Sequence, residues 1–458
     1  MHYNLKTLSK KNLFLISLVI IGVLIKFYSF NNEDLWWDEL LSFWASDPSY
    51  TFFETFKRNL EVNDGSQLIF TYLLKVYFAI FGYDPNISRL LTIFFGILSI
   101  PCLFILTNKL KIKNTLPLLL FLFLFNSYLL SYDHELRSYS FAIFISLLNF
   151  IFFINLINKK RNIDFILVSL INLIGVLNHT FFILISFSQF IFLIINNRFD
   201  KIFIKYILFH IFVIFIFYVI SKESLSTQIN IDEFWIPSVS LGFLVDFFFS
   251  RFFSSKILGS IYLITFIYLI YKNKKLFFKY NSFYFYLLIL ISTSYFIPYV
   301  YGLIKIPVLT DRYILFIIVP ILILISSGIN NLNNKKLQNI IIIVIALSTF
   351  SDTLFRIFKN DITKPEFKKA INYIENSSTN IILINNEHNF KIIQNYLIKL
   401  NPSLNIVNKI TDNEKKLWKL CYLPSTSFSC DIQEDENKLL QLKTEDFNLI
   451  VIKLYRNM

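Results

Sequence analysis

The most chemically suggestive stretch of this chain is LWWDELLSFWAS, residues 35–46, in which Asp38 and Glu39 stand side by side directly after the first apolar run. Adjacent carboxylates at the edge of a membrane cost free energy unless they bind a cation, accept a proton or stay fully hydrated. Trp36 and Trp37 are of a residue type that prefers the membrane interface, and they would hold the acids at a fixed depth. The stretch therefore indicates a general base or a metal ligand, and the alternative is a hydrated acidic loop.

Further ionisable residues interrupt the apolar sequence at intervals. Carboxylates and imidazoles exchange protons or hold divalent cations, whereas guanidinium groups bind phosphate oxygens. These residues are Asp64 in NDGSQL, Glu135, Arg137 and Tyr139 in SYDHELRSYSF, His179 in LNHTFF, then Lys305, and finally Arg312 and Tyr313 in LTDRYILF.

The composition is that of a polytopic membrane protein. Of 458 residues, 55% are hydrophobic and 18% are aromatic, and the mean hydropathy is +0.56. A soluble domain could not cover so much apolar surface with polar groups. The net charge of +13 comes from short Lys and Arg clusters between apolar runs. Because these clusters form no extended basic face, the sequence argues against a nucleic-acid partner.

Apolar runs long enough to cross about 30 Å of hydrocarbon predict eleven transmembrane helices. A further candidate, residues 67–81, is short and carries Lys75 near its middle. If it does not span, the basic clusters between the spans all fall on the cytoplasmic side, as the positive-inside rule favours. We therefore expect residues 67–81 to form a juxtamembrane helix. The predicted spans are residues 12–30, 88–107, 115–131, 138–157, 163–178, 180–195, 202–220, 254–271, 282–301, 313–329 and 337–351.

This topology places the unusual polar groups on the outer face. The N-terminus is then in the cytoplasm, and the chain is a multi-pass protein of the cytoplasmic (inner) membrane. The first outer loop, residues 31–87, carries the acidic motif, and everything after residue 351 lies outside. A site built from these residues would open away from the cytoplasm.

The sequence changes character near its end, where Lys, Asn, Glu and Asp become frequent and long apolar runs stop. EFKKAINYIEN has the helical spacing of Phe367, Ile371 and Ile374, while NIILIN and FNLIVIKLYR are typical of short buried strands. We therefore predict an all-α polytopic membrane domain over residues 1–354. A small extracytoplasmic α/β domain would follow over residues 355–458.

Cys421 and Cys430 both lie in that second domain, and whether they form a disulfide stays open at this point.

Three motifs, in this order, resemble those of the GT-C membrane glycosyltransferases, the superfamily of protein O-mannosyltransferases and lipid A aminoarabinose transferases. The acidic first loop and NDGSQLIFTYLL are followed by SYDHELRSYSFAIF and then by LTDRYILFIIVPILIL. The resemblance covers about residues 12–350 and is strongest in residues 31–140. It departs from the family pattern at GSQL, which replaces a Pro-Pro pair after Asp64.

The resemblance implies a polyprenyl-phosphate sugar as donor and a lipid, glycan or protein hydroxyl as acceptor. The catalytic residues it implies are Asp38 as the base, with Glu39 and Glu135. A single displacement would invert the anomeric centre. Oxygen and imidazole ligands would also allow a divalent cation, Mg²⁺, Mn²⁺ or Zn²⁺. The other implied residues are Arg312, Arg137 and Lys305 for the donor phosphate, Asp64, Tyr139 and Tyr313 for the pocket, and Glu39, Asp64 and His179 for the cation.

Two other classes of protein are alternatives. A lipid or sugar transporter (flippase) needs charged residues in mid-span, but Lys26 and Arg89 lie near helix ends and are expected to snorkel to the interface. An O-antigen-ligase-like enzyme also uses lipid-linked glycans, but it depends on outer loops rich in Arg and His. In the outer loops of this chain, the prominent ionisable residues are mainly acidic.

The topology makes a prediction at Lys274, which lies in a basic cluster assigned to the cytoplasm. A Lys274→Cys variant in intact cells should resist an impermeant thiol reagent and react after permeabilisation, as measured by mass-shift labelling. A cysteine at Phe355, assigned to the outer side, is the matched control and should react in both conditions. Labelling of position 274 in intact cells would contradict the topology.

Overall fold

The apolar runs of the sequence form α-helices in the computed structural model. Each predicted span coincides with a helix or a pair of helices, and so does the predicted juxtamembrane segment 67–81. The helices are α1 (Lys10–Phe27), α2 (Trp37–Ala45), α3 (Phe52–Glu61), α4 (Leu68–Phe81), α5 (Leu90–Lys109), α6 (Leu116–Leu124), α7 (Ser127–Asp133), α8 (Tyr139–Lys159), α9 (Asn162–Asn178), α10 (Ile183–Ile195), α11 (Lys201–Ile229), α12 (Lys256–Lys272), α13 (Phe283–Ile304), α14 (Ile318–Asn330), α15 (Lys335–Phe358), α16 (Phe367–Glu375) and α17 (Glu387–Leu400).

The structure describes most but not all of the chain. The described residues are 10–28, 30–61, 67–196, 201–229, 236, 240, 242, 246–358, 363–377, 379–384, 387–408, 416–423 and 439–457.

Several of these helices have the length and hydropathy of membrane spans. In the described ranges, five helices qualify, and the bent pair α6–α7 makes a sixth. The other apolar helices are shorter than 18 residues or have shorter apolar portions. The chain is thus a multi-pass membrane protein, and the count of eleven spans stays a prediction.

The predicted span 115–131 consists of two helices, α6 and α7, which meet at an angle of 58°. The side chain of Asn126 accepts a hydrogen bond from the backbone N–H of Leu129 at 2.8 Å, which caps the start of α7. The capping residue restarts the helix in a new direction and brings the end of α7 toward the site.

Lys26 and Arg89 are buried, with 1% and 2% of their surface exposed, so the expectation that they snorkel is wrong. Lys26 of α1 forms an ion pair with Asp133 of α7, and the Ser140 hydroxyl donates to the same carboxylate at 2.7 Å. A β-carbon at Gly96 of α5 would overlap that carboxylate. The glycine therefore makes room for a buried ion pair that joins α1 to α7.

A ring of side-chain amides joins four helices within the membrane domain. Asn149 donates to Asn172 at 2.6 Å, Asn172 donates to Gln189 at 3.0 Å, and Gln189 donates back to Asn149 at 2.6 Å. The hydroxyl of Tyr206 also donates to Gln189. Because these polar groups satisfy one another, α8, α9, α10 and α11 can bury them together.

The C-terminal region folds around a five-stranded sheet of order β2-β1-β3-β5-β4. β1 is parallel to β2 and β3, and β5 is antiparallel to β3 and β4. The predicted apolar face of α16 is buried, since Phe367, Ile371 and Ile374 are each no more than 3% exposed. The predicted mixture of helices and strands is confirmed. Cys430 lies outside the described residues. The strands are β1 (Ile381–Leu383), β2 (Asn405–Val407), β3 (Lys416–Tyr422), β4 (Leu439–Phe447) and β5 (Ile450–Asn457).

Candidate active site

The two acids of the first loop lie in the first turn of α2, where carboxylates interact favourably with the helix dipole. Neighbouring residues of a helix point about 100° apart. The side chain of Asp38 accordingly stays partly exposed, at 20%, while that of Glu39 is fully buried. The adjacent carboxylates therefore have different surroundings and different partners.

Asp38 forms an ion pair with Arg312, which begins a 3-10 turn, Arg312–Ile317, ahead of α14. The distance from Arg312 Nη1 to Asp38 Oδ2 is 2.9 Å, and both side chains are about one-fifth exposed. The guanidinium lies 6.0 Å from the ring centre of Trp36 and 5.7 Å from that of Tyr313. Two residues predicted from distant parts of the sequence are thus brought into direct contact at the site.

Glu39 is held by donors from three other parts of the chain. Arg89 binds it through two hydrogen bonds of 2.8 Å, Lys364 binds it at 2.9 Å, and the backbone N–H of Leu136 donates at 2.7 Å. Burial by itself would raise the pKa of Glu39, but the cations of Arg89 and Lys364 outweigh it and hold this pKa at about 2. Glu39 is therefore an ionised carboxylate whose oxygens are already engaged, which favours the role of organising the loop.

A cavity of about 390 Å³ opens beside the Asp38–Arg312 pair. Its lining includes Trp36, Glu135, Arg251, Asp311 and Arg312. Arg251 Nη1 lies 3.7 Å from Asp311 Oδ1. The cavity thus places two guanidinium groups and several carboxylates around a space that suits a small polar group.

Glu135 lies on the connection between α7 and α8 and lines this cavity. Its Oε2 atom is buried and has no hydrogen-bond partner among the described residues. Burial raises the pKa of Glu135 to about 7, and the charges of Glu39 and Asp38 add to this, while Lys364 and Arg312 oppose it. A carboxyl with such a pKa changes its protonation state near neutral pH, as a general acid or base must.

Arg137 lies beneath α2 and is 7% exposed. Its Nη1 donates to the backbone carbonyl of Asp38 at 3.1 Å and to the hydroxyl of Ser42 at 3.3 Å. Tyr139 is also buried and packs edge-on against Tyr132. Arg137 therefore supports the backbone at Asp38, while Tyr139 packs among the aromatic rings behind it.

His179 lies at the end of α9 and packs against Tyr313, with ring centres 5.1 Å apart. Its Nδ1 accepts a hydrogen bond from the backbone N–H of Phe181 at 3.3 Å. Burial, followed by the charges of Arg137 and Arg312, lowers the pKa of His179 to about 3, so the imidazole is neutral.

Lys305 is not brought into this group, because it is exposed at the end of α13 and does not line the cavity. Asp64 lies outside the described residues. Within the described part of the chain, no three His, Cys, Asp or Glu side chains are clustered in a way that could hold a metal ion. The cation at Glu39, Asp64 and His179 therefore stays a prediction.

Several residues at or near the site were not predicted as members, among them Arg251, Asp311 and Lys364. Arg251 and Asp311 line the cavity, and their presence in outer loops next to apolar runs was the available signal. Lys364 contacts Glu39 from 325 positions away along the chain. Nothing in the sequence around Lys364 distinguishes it from the other lysines of that region.

The fold of this chain is similar to those of several solved structures, which confirms the predicted resemblance at the level of the fold. No family model and no curated protein matches the sequence. The crystal structure of ArnT from Cupriavidus metallidurans in the apo state is similar, with a TM-score of 0.64 and 10% sequence identity, over 97% of this chain and 98% of that one.

Two other solved structures are also similar. ArnT from Cupriavidus metallidurans bound to undecaprenyl phosphate matches with a TM-score of 0.60 and 10% identity, over 96% of this chain and 97% of that one. The Archaeoglobus fulgidus oligosaccharyltransferase tethered with an acceptor peptide matches with a TM-score of 0.51 and 11% identity, over 87% of this chain and 64% of that one.

The raised pKa of Glu135 predicts a pH-dependent contribution to stability. The folded protein holds a proton at Glu135 up to pH of about 7, whereas the unfolded chain releases it near the ordinary value of 4.5. The stabilisation is therefore complete below that lower value and is lost as the pH rises through 7. Glu135→Gln imitates the protonated form. It should raise the melting temperature at pH 8, by an equivalent of about 1–3 kcal/mol, and change it little at pH 5.

Thermal unfolding of the detergent-solubilised protein measures this difference. Glu54→Gln is the matched control, since Glu54 lies on the exposed side of α3 and contacts Thr51. If Glu135→Gln raised the melting temperature equally at both pH values, the carboxyl would already be ionised at pH 5 and the prediction would be wrong.

Proposed function

We propose that this chain is a membrane glycosyltransferase. It moves a hexosyl or pentosyl group from a polyprenyl-phosphate donor to an acceptor hydroxyl on the extracytoplasmic face of the inner membrane. The observation that carries the proposal is the Asp38–Arg312 pair beside a polar cavity in a GT-C fold. A carboxylate and a guanidinium in contact are the two groups that glycosyl transfer from a lipid phosphate requires.

The donor class is supported by chemistry and by similarity. A site on the outer face has no access to cytoplasmic nucleotide sugars, so its sugar must arrive on a lipid carrier. The similar ArnT was crystallised with undecaprenyl phosphate. The membrane helices of this chain would admit such a carrier from the side.

Two arginines are placed to bind the donor phosphate. Arg312 and Arg251 both line the cavity, and a guanidinium group binds phosphate oxygens through two parallel hydrogen bonds. Arg137 is committed to the backbone of Asp38, so its contribution would be indirect. Lys305, exposed at the end of α13, would meet the phosphate only at the membrane surface.

Donor binding would also change the state of Asp38. In the structure, Arg312 neutralises Asp38 at 2.9 Å. A lipid phosphate competes for the same guanidinium, so Asp38 becomes available as a base when the donor is in place. This couples activation of the acceptor to the presence of the sugar.

The transfer is a single displacement. The acceptor oxygen attacks the anomeric carbon as the bond from that carbon to the phosphate oxygen breaks. The acceptor proton passes to the carboxylate of Asp38, and the lipid phosphate leaves with its negative charge against Arg312 and Arg251. One displacement inverts the anomeric centre. Glu135, with its titration near neutral pH, stands on the same cavity to take the proton onward.

The first experiment concerns Asp38. Asp38→Asn keeps the shape of the side chain and removes its basicity, so transfer should fall about 10²- to 10⁴-fold at normal expression. The measurement is sugar transfer in membranes from a panel of polyprenyl-phosphate sugars, with products identified by mass spectrometry in cells with and without the gene. Glu54→Gln is the control in the same loop. Wild-type transfer rates in Asp38→Asn would show that Asp38 is not the base and that the acidic motif is only a hydrated loop.

The second experiment concerns Arg312. Arg312→Lys keeps the charge and loses the two-pronged geometry, so the specificity constant kcat/KM for the donor should fall about 10- to 100-fold. Arg161→Lys is the control, because Arg161 directly precedes α9, has a side chain that is 54% exposed and pairs with Asp164 of that helix. Unchanged turnover in Arg312→Ala would remove this residue from the phosphate site.

A further inference from the structure

The C-terminal domain holds the backbone that leads into Asp38. The backbone N–H of Leu35 donates to the hydroxyl of Tyr396 at 3.3 Å, and that of Trp37 donates to the hydroxyl of Tyr422 at 3.0 Å. Both tyrosines belong to the C-terminal domain, to α17 and β3. The first N–H groups of a helix have no partner within it, so these contacts satisfy donors at the start of α2.

Acids just before α2 hold the C-terminal domain in return. Asp34 accepts a hydrogen bond from the backbone N–H of Lys368 at 2.7 Å, in the first turn of α16. Glu33 accepts one from the backbone N–H of Thr363 at 3.1 Å. A carboxylate at a helix N-terminus is stabilised by the helix dipole and the unpaired N–H groups. The loop and the domain therefore complete each other's helix ends.

Lys364 reaches deepest from the C-terminal domain into the site. Its side chain is 12% exposed, and its Nζ lies 2.9 Å from Oε2 of the buried Glu39. The backbone carbonyl of Lys364 accepts a hydrogen bond from the side chain of Asn448 at 2.7 Å. Asn448 lies on the connection between β4 and β5. The backbone of Lys364 is thus bound to the β4–β5 connection, while its side chain contacts Glu39 at the site.

Glu39 connects this contact to Asp38 and to Glu135. It follows Asp38 in the first turn of α2, and its Oε1 accepts a hydrogen bond from the backbone N–H of Leu136, the residue after Glu135. A displacement of Glu39 therefore moves Asp38 and Glu135 relative to each other. In transfer chemistry, a misplacement of about 1 Å costs about 100-fold in rate.

We infer that Lys364 is a positioning residue through which the docked C-terminal domain fixes the geometry of Asp38 and Glu135, so that this domain is part of the working enzyme. The inference rests on the proposed function for its catalytic consequence. The docking itself does not depend on that function. The role assigned to Lys364 is indirect, since it touches Glu39 and does not line the cavity.

The test uses the full-length protein with three variants. Lys364→Met keeps the length of the side chain and removes its charge, and Lys364→Arg keeps the charge. Lys369→Met is the matched control, because Lys369 lies five residues further along the chain, in α16, is 62% exposed and pairs with Glu366. Amide hydrogen exchange followed by mass spectrometry reports on the loop peptide covering residues 31–41, and transfer kinetics report on the site.

In Lys364→Met we expect faster exchange in this loop peptide and unchanged exchange in the peptides of α8 and α14. We also expect kcat to fall at least about tenfold while the donor KM stays within about twofold, since the phosphate site is untouched. Lys364→Arg should recover most of the rate, and Lys369→Met should resemble the wild type in both measurements.

Unchanged exchange in residues 31–41 of Lys364→Met, or a normal kcat, would overturn the inference while leaving the proposed function intact. Equal loss in Lys364→Arg, with faster exchange throughout the membrane helices, would mark a general folding defect and overturn it as well. If the wild type transfers no sugar but the loop exchange still responds to Lys364, the proposed function fails and the docking role of Lys364 stands.

Discussion

The buried carboxylate of Glu39 is the interaction on which the rest of the site depends. An ionised group away from water is stable only when it is paired and hydrogen-bonded. Arg89 supplies a two-pronged partner from the start of α5, Leu136 supplies a backbone donor, and Lys364 supplies a second cation from the C-terminal domain. Loss of Arg89 or Lys364 would remove one of the two cations that offset this buried charge. The first loop, the membrane helices and the C-terminal domain are thus tied to one point.

The helices of the membrane domain could be predicted because long apolar runs have few alternatives in a bilayer. What could not be predicted is where charge is tolerated among them. Lys26 and Arg89 lie near helix ends in the sequence, and snorkelling was the expected outcome. Their acidic partners are distant along the chain, so only the three-dimensional packing could reveal the pairs. The bend at Asn126 was equally hidden, since its capping role depends on a local turn within an apolar run.

At the site, the sequence was informative where a residue type in a motif already implied its chemistry. Asp38 and Arg312 were predicted from two separate motifs, and the structure places them in contact. The different orientations of Asp38 and Glu39 follow from helix geometry and could be predicted from the sequence. The burial of Glu39 could not be predicted. Arg251 stayed unassigned because a place in an outer loop does not by itself mark a site residue, and Lys364 because nothing around it distinguishes it from other lysines. Their positions depend on contacts between segments that are far apart in the chain, and such contacts cannot be predicted from a single sequence.

The partners of Glu39 are synthesised one after another, at widely separated positions of the chain. Arg89 follows it by 50 residues, Leu136 by 97 and Lys364 by 325 along the chain. Because a ribosome makes the chain from its N-terminus, Glu39 gains its first cation early during membrane insertion and its second only after Lys364 has been made, 325 residues after Glu39. The partners of the acidic loop are thus added in stages. A nascent chain that ends before Lys364 lacks this second cation, so the full set of partners forms only after the membrane helices have been made.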